Sequence, residues 1–374
     1  MIQLLKKPLI IMVLAVLVSH ALLTGVAWQA RTHIGYFSAA NSDTNFIHAD
    51  QSVPAPAIES YWEHFDSLYY HLIATKGYLY DDSGTAKLTS AFFPLYPYSL
   101  KVVNLLFNDV SVAAIVYGLF ISVGTAWVLY QLLLMHMKPR RALAIALSAT
   151  VLPHMFYSGA MLSDGLFLLL TLIGVYFVAR KWFWLAAITA LLLPLTKLLG
   201  VLFVIPLFGA LYEQHKLKAG VRPYLPLIGT GFGGLLVLLH NQRIGGDPLY
   251  FMKTVSSEWG RVNGFSGLLT RPLHSASQAA LTLVALAAVG LLIYQRKKLG
   301  RWWVVWGFLF VFIPLLSSAL GQIRYAVANV PLLYALYYTL ENQKKPVKIG
   351  FVVLSGLGFL LLGTLWMLEH PAMQ

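Results

Sequence analysis

The sequence contains no cysteine, which excludes disulfides and thiolate metal sites. It is also poor in charge: only 11% of its 374 residues are Asp, Glu, Lys or Arg, whereas 58% are hydrophobic. It has no glycine-rich phosphate loop after a strand pattern, no Walker lysine motif and no soluble nucleotide-binding segment, which argues against a nucleotide-sugar donor and against ATP-driven transport. Internal repeats of the kind common in transporters are missing too. His64, His71, His154 and His240 lack the paired helical spacing that builds a metal site and read as polar residues near a membrane face; no ligand spacing demands a metal, though the external acids leave a divalent ion open, and no cofactor is expected.

What the chain does have is apolar runs of roughly 17 to 25 residues, the length that crosses a hydrocarbon core of about 30 Å. The expected architecture is therefore an all-α polytopic membrane protein, one integral membrane domain over residues 1–374. About eleven helices are expected, near 8–29, 110–136, 142–158, 165–179, 182–195, 198–212, 224–240, 274–294, 302–318, 325–340 and 349–367. The fifth and sixth read equally as one hairpin broken around Pro194 and Lys197, since proline removes a donor and charge is costly in hydrocarbon. The first run, behind Lys6 and Lys7, is too long for a signal-peptide core of roughly 7 to 15 residues, so it reads as an uncleaved anchor.

The net charge of +13 would suggest nucleic acid in a soluble protein. Here most basic residues fall in clusters after every second span: Lys138 to Arg141, Arg180 and Lys181, Lys216 to Arg222, Arg296 to Arg301, and Lys344 to Lys348. That alternation is the positive-inside pattern, so nucleic acid is discounted and the N-terminus is placed in the cytoplasm of a bacterial-type plasma membrane. Of the 14 acidic residues, only Glu213 and Glu341 fall on the basic side, so carboxylate chemistry would face outward. Two external segments, about 30–109 and 241–273, are too long to be simple connectors. Gly229, Gly231, Gly233 and Gly234 suggest close helix packing.

Within the first segment Tyr61, Trp62, Phe65, Leu68, Tyr69, Leu72 and Ile73 recur at helical spacing, an apolar stripe suited to lying in the membrane interface. Asp66 borders it. A carboxylate there can take a proton from a sugar hydroxyl while aromatics stack on the ring; equally, it can be a solvated acid beside a lipid-facing stripe. Asp164, at the start of a span, can either cap the helix or help bind substrate. Lys197 and Arg324 stand at the mouths of spans, where they either hold a lipid phosphate or snorkel to headgroups. Arg261, near Trp259, is the next basic candidate.

In order along the chain stand Asp66, Tyr69-Tyr70, Ile73-Ala74, Gly77-Tyr78 and Ala91-Phe92-Phe93-Pro94 to Pro97. Tyr157-Ser158, Ser163-Asp164, Thr196-Lys197 with Gly200, Gly246-Asp247-Pro248-Leu249 with Phe251, Trp259, Arg261, Arg324-Tyr325 and Pro331 follow. This order resembles the PIG-V-like membrane mannosyltransferases, relatives of the second mannosyltransferase of GPI-anchor synthesis. The chain departs from that family in having Phe65 where tryptophan commonly precedes the aspartate, Lys197 where arginine is usual and Asp164 where glutamate is frequent.

The resemblance implies a GT-C-type glycosyltransferase fold, a polyprenyl-phosphate-linked sugar donor, mannose as the sugar, an outward-facing site and Asp66 as general base. Tyr70, Asp164, Lys197, Trp259, Arg261, Arg324 and Tyr325 would bind substrate. The acceptor is a glycan, lipid or protein hydroxyl. A phosphate leaving group calls for positive charge near the outer face, which the basic candidates supply. Two other classes stay open: a secondary transporter or lipid or glycolipid flippase using Lys197 and Asp164 as coupling charges, and a non-catalytic assembly subunit.

Overall fold

In hydrocarbon an unpaired backbone N–H or C=O costs several kcal/mol, so apolar runs of this length fold as helices that pair their own backbone. The computed structural model describes residues 2–37, 46–48, 57–79, 84–215, 220–257, 276–317, 322–327 and 329–370. Trp259 and Arg261 lie outside the described residues. Helix α1 spans Ile2–His33 and runs into a short antiparallel pair, β1 (Gly35–Phe37) and β2 (Phe46–His48), with Tyr36 opposite Ile47. After a 3-10 turn at Ile58–Trp62 come α2 (Ser67–Thr75), α3 (Gly84–Leu88) and α4 (Leu95–Asn104). Then follow α5 (Val110–Leu134), α6 (Pro139–Ala149), α7 (Ser163–Ala179), α8 (Phe183–Thr196), α9 (Val204–His215), α10 (Leu225–Gly245) and α11 (Tyr250–Ser257). The rest comprises α12 (Ala276–Tyr294), α13 (Arg296–Leu299), α14 (Arg301–Ser317), α15 (Gln322–Val327), α16 (Val330–Glu341) and α17 (Lys345–Met367).

Local chemistry sets several starts. The Asp109 carboxylate accepts from the amides of Ser111 and Val112 at 2.9 and 3.0 Å, capping α5. The Asn329 side chain does the same for Leu332 in α16, and proline occupies the first turn of α6, α16 and α17, where its missing donor costs nothing.

Four helical stretches are long and apolar enough to cross a bilayer: Lys7–His33, Val110–Leu134, Arg222–Gly245 and Lys345–Met367. Their outward faces carry Leu14, Leu22, Phe232, Leu239, Leu354 and Leu361, all exposed. Apolar surface on that scale needs lipid around it, and the chain is a membrane protein. Ser163–Ala179, Phe183–Thr196, Leu198–Glu213, Ala279–Tyr294 and Arg301–Leu316 are apolar but shorter.

The expectation of eleven continuous spans therefore needs revision. The stretch expected at 142–158 is helical only to Ala149, because Pro153 cannot continue the ladder, and ends in a 3-10 turn at Met155–Ser158. The one expected at 325–340 is divided between α15 and α16. Residues 61–73 are not one interfacial helix either: Phe65 has a φ of +53°, which breaks the helical path. Tyr61, Trp62 and Ile73 turn inward to the core, leaving Leu68 exposed.

Contacts at the two ends of the helices differ in kind. At one end Glu63 accepts from Ser111 Oγ at 2.5 Å, His64 pairs with Glu369 at 3.1 Å, and Ser90 bonds Thr254 at 2.6 Å. At the other, Arg141 and Lys298 meet Glu341 at 3.3 and 3.4 Å, and Arg301 meets Glu213 at 3.7 Å. Between them α8 packs along both α7 and α10. Of the four clustered glycines in α10, two account for that approach: a Cβ on Gly229 would stand 2.3 Å from the Ala187 carbonyl oxygen, and one on Gly233 2.2 Å from that of Leu191. Gly231 and Gly234 face open space. Gly233→Val is expected to force α10 off α8 at a cost of about 1–3 kcal/mol, whereas Gly234→Val leaves stability unchanged within about 1 kcal/mol. Thermal unfolding of the two variants in one detergent compares them.

Candidate active site

Asp66 sits one residue after the left-handed Phe65, in the turn that opens α2. That turn is fixed from both sides. Trp62 donates its indole N–H to Thr24 Oγ1 at 3.0 Å and stacks on His20 with ring centroids 5.0 Å apart, anchoring the segment to α1. The carbonyl of Trp62 accepts the amide of Met161 at 3.1 Å, which joins it to the strand of chain leading into α7. Non-glycine residues at positive φ are held only where surrounding contacts over-determine them, and Phe65 is packed against the core near Trp366.

Asp164 is the second residue of α7. The capping reading does not hold: the residue flanking the helix is Leu162, and no side chain caps it. The Asp164 carboxylate, fully buried, instead accepts from Lys197 Nζ at 2.5 Å and from Arg324 Nη2 at 3.2 Å. Lys197 lies in extended backbone between α8 and a 3-10 segment at Leu198–Phe203. Its place depends on Gly200, where any Cβ would fall 2.3 Å from the Leu193 carbonyl carbon, so only glycine lets the chain fold back onto α8. Arg324, on α15, reaches the other acid with its second terminal nitrogen: Nη1 donates to Asp66 Oδ2. Lys197 Nζ also lies 5.1 Å from the centre of the Tyr325 ring.

Two acids and two bases, from four separate stretches of sequence, thus form one chain of contacts: Asp66, Arg324, Asp164, Lys197. The side chains of Asp66, Arg324 and Lys197 keep 19%, 15% and 14% exposure against 0% for Asp164. Asp164 is the interior anchor, and the other three border solvent. Among the described residues Arg324 Nε meets no acceptor, which leaves a guanidinium donor uncommitted.

Tyr70 is buried behind this row, and its hydroxyl bonds Ser163 Oγ at 2.7 Å. Its ring contacts Phe92 and Tyr96 edge-on at 5.0 Å each, and burial pushes its phenol well above the ordinary tyrosine range. This residue positions α2 against the start of α7 rather than offering a polar group outward. The Ala91-Phe92-Phe93-Pro94 segment supports it from below: Phe92 stacks on Tyr69 at 4.9 Å and its carbonyl accepts from Tyr78 at 2.8 Å. Six of the residues singled out from the sequence (Asp66, Tyr70, Asp164, Lys197, Arg324 and Tyr325) meet here.

Sequence reasoning passed over Glu63. It binds both Ser111 and His71, clamping α2 to the start of α5. Its signal was the spacing Glu63, His71 across a turn, which becomes meaningful only once the turn is known. The hydrogen bond to Glu63 raises the His71 pKa, outweighing its partial burial. Among the described residues no three His, Cys, Asp or Glu side chains converge as metal ligands would.

No protein-family model matches the sequence, and no curated protein does. Among solved structures the chain is similar to the oligosaccharyltransferase of Archaeoglobus fulgidus in its apo form, with 12% identity over 96% of this chain and 56% of that one, at a TM-score of 0.41. It is similar to the same extent in identity and coverage to the archaeal oligosaccharyltransferase AglB from A. fulgidus in complex with an inhibitory peptide and a dolichol-phosphate, at a TM-score of 0.40. The chain spans about 56% of the length of these enzymes. At that distance the likeness does not establish a common fold.

Two outcomes follow from the charge network and its clamp. Asp164→Asn leaves Lys197 and Arg324 facing each other without their shared counter-ion, and is expected to cost about 3 kcal/mol of unfolding free energy. Asp66→Asn costs clearly less, because that carboxylate still touches solvent; chemical unfolding in a common detergent gives both values. A histidine whose folded pKa is raised contributes stability that is complete below its unfolded value of about 6.5 and lost as pH rises through the folded value. Amide protection in α2 is therefore expected to fall as pH rises above about 6.5, and His71→Gln to abolish that dependence in hydrogen exchange.

Proposed function

We propose that this chain is an inverting GT-C-type glycosyltransferase that moves a sugar from a polyprenyl-phosphate lipid to an acceptor hydroxyl at the extracytoplasmic face. The observation that carries the reading is the Asp66, Arg324, Asp164, Lys197 row, set where apolar helices end and opposite the end that bears the basic loops. A base for a hydroxyl and cations for a phosphate stand side by side, and the reading sets them at the level of the lipid phosphates. The family its motifs resemble makes mannose the expected sugar and a glycan, lipid or protein the expected acceptor.

The chemistry can be balanced on these groups. The acceptor oxygen forms a bond to the anomeric carbon as the bond from that carbon to the phosphate oxygen breaks, and the electron pair leaves with the phosphate. The acceptor proton passes to Asp66, whose Oδ1 is free of the Arg324 contact. The donor phosphodiester carries one negative charge, and the departing monoester carries up to two, since its second pKa is about 6. Its charge grows as Asp66 loses its own. Arg324 stands on that exchange: protonation of Asp66 releases Nη1 for the phosphate, while Asp164 retains Nη2 and holds the guanidinium in place. Lys197, against Asp164 and the Tyr325 ring, adds a second cation.

A transporter reading would make Asp164 and Lys197 coupling charges. Both lie at helix ends, bound to each other, rather than in the middle of α7 or α8, which counts against that use.

The test is sugar transfer from a polyprenyl-phosphate-mannose donor in reconstituted vesicles, with variants shown to insert and fold equally. Wild type is expected to transfer, Asp66→Asn to be slower by about 10² or more, and Arg324→Lys to lose kcat because a lysine cannot span Asp66 and Asp164 together. Equal rates for wild type and Asp66→Asn would remove Asp66 from the mechanism.

A further inference from the structure

A second feature lies at the opposite end of the same hairpin. Helix α7 has 17 residues, so its C-terminal turn stands roughly 20 Å along its axis from Asp164. There Lys181, Trp182, Phe183, Trp184, Leu185 and Arg222 line a cleft of about 270 Å³ between the α7–α8 turn and the start of α10. Three properties mark it. Arg141, Lys298 and Arg301 are paired with Glu341 or Glu213, whereas among the described residues Arg180, Lys181 and Arg222 have no carboxylate within ion-pair distance. Trp182 and Trp184 are 46% and 68% exposed, the disposition of indoles that lie at the headgroup level of a bilayer. The turn is also fixed: Arg180, Lys181 and Trp182 donate their amides to Tyr176, Val178 and Phe177, and the Arg180 guanidinium stands 5.5 Å from the Trp182 ring.

We propose that this cleft binds the phosphate headgroup of an anionic bilayer phospholipid. Lys181 and Arg222 supply uncompensated positive charge for the phosphodiester, and the exposed indole and Leu185 give the acyl chains an apolar path out of the cleft. A zwitterionic headgroup brings its own cation and gains less from the pair, so the site discriminates by net charge. The bound lipid bridges the α7–α8 turn to α10 and so braces the hairpin whose other end carries Asp164 and Lys197. The inference needs only the membrane placement of the helices and does not depend on the reaction proposed above.

The test uses the full chain in an uncharged detergent, with native mass spectrometry counting retained phosphatidylglycerol against phosphatidylcholine, and inorganic phosphate as the non-lipid arm in thermal unfolding. Wild type is expected to prefer phosphatidylglycerol by roughly tenfold, and Lys181→Asn combined with Arg222→Gln to lose that preference. Asparagine tolerates the positive φ of 59° that Lys181 adopts, so the variant removes charge without straining the turn. Equal retention of both lipids by wild type, or an unchanged preference in the double variant, would overturn the proposal. So would stabilisation by inorganic phosphate equal to that by phosphatidylglycerol, which would mark a simple anion site. Should the double variant unfold in lipid-free detergent, Lys181→Arg with Arg222→Lys must keep the preference, and its loss would overturn the proposal as well.

Discussion

The buried carboxylate of Asp164 constrains everything around it. A lone charge removed from water is penalised by many kcal/mol, and a single partner rarely repays that cost. Asp164 has two, Lys197 at 2.5 Å and Arg324 at 3.2 Å, from segments 33 and 160 residues away. Neither partner can shift far without exposing the acid to an apolar surround. The folded position of α15, the break after α8 and the start of α7 are thereby set by one another. Specificity of arrangement, more than net stability, is what such a network contributes here, since the cluster as built sums to zero charge.

The supports behind that network are of a different kind. Tyr70, Ser163, Tyr96 and Phe92 form a buried wall in which hydroxyl bonding and edge-on ring contacts fix the distance between α2 and α7. Trp62 and Glu63 tie the same loop to α1, α5 and the chain before α7. In a membrane, where lipid supplies no drive for helices to associate, close packing and interhelical polar contacts must hold the bundle. Gly229 and Gly233 serve the first need, and the end-cap contacts serve the second. A loop of this build behaves as part of the helical body, which allows it to hold the Asp66 carboxylate against Arg324 of α15.

Much of this was legible in the sequence, and what was not has physical causes. Apolar runs gave the positions of most long helices, because the bilayer imposes a length rule that acts locally, but not the breaks near Pro153 and between α15 and α16. Asp66, Asp164, Lys197 and Arg324 could be picked out one by one as charges at helix mouths, yet nothing local predicts that they bind one another. That pairing is a long-range fact. The capping reading of Asp164 failed for the same reason: spacing suggests a local role, and a cation 33 residues away outcompetes it. The stripe from Tyr61 to Ile73 was misread because period alone cannot reveal the positive φ at Phe65, which turns its first half into the core. Glu63 was missed because its partners come together only through that same turn.

The hairpin α7–α8 joins the two ends of the molecule, and its charges are distributed unequally. At one end Asp164 and Lys197 neutralise each other inside the protein; at the other Arg180 and Lys181 face outward beside exposed indoles. A buried pair fixes position but is indifferent to the membrane around it. Uncompensated surface charge has the opposite property, binding weakly to any one protein group but strongly to whatever anionic surface surrounds it. The 17 residues of α7 set the distance between the two. In the lipid-binding proposal, the level of the charge network relative to lipid phosphates follows from the turn's hold on its headgroup. In the proposed reaction, the donor phosphate must meet Arg324 at a depth the protein does not choose alone.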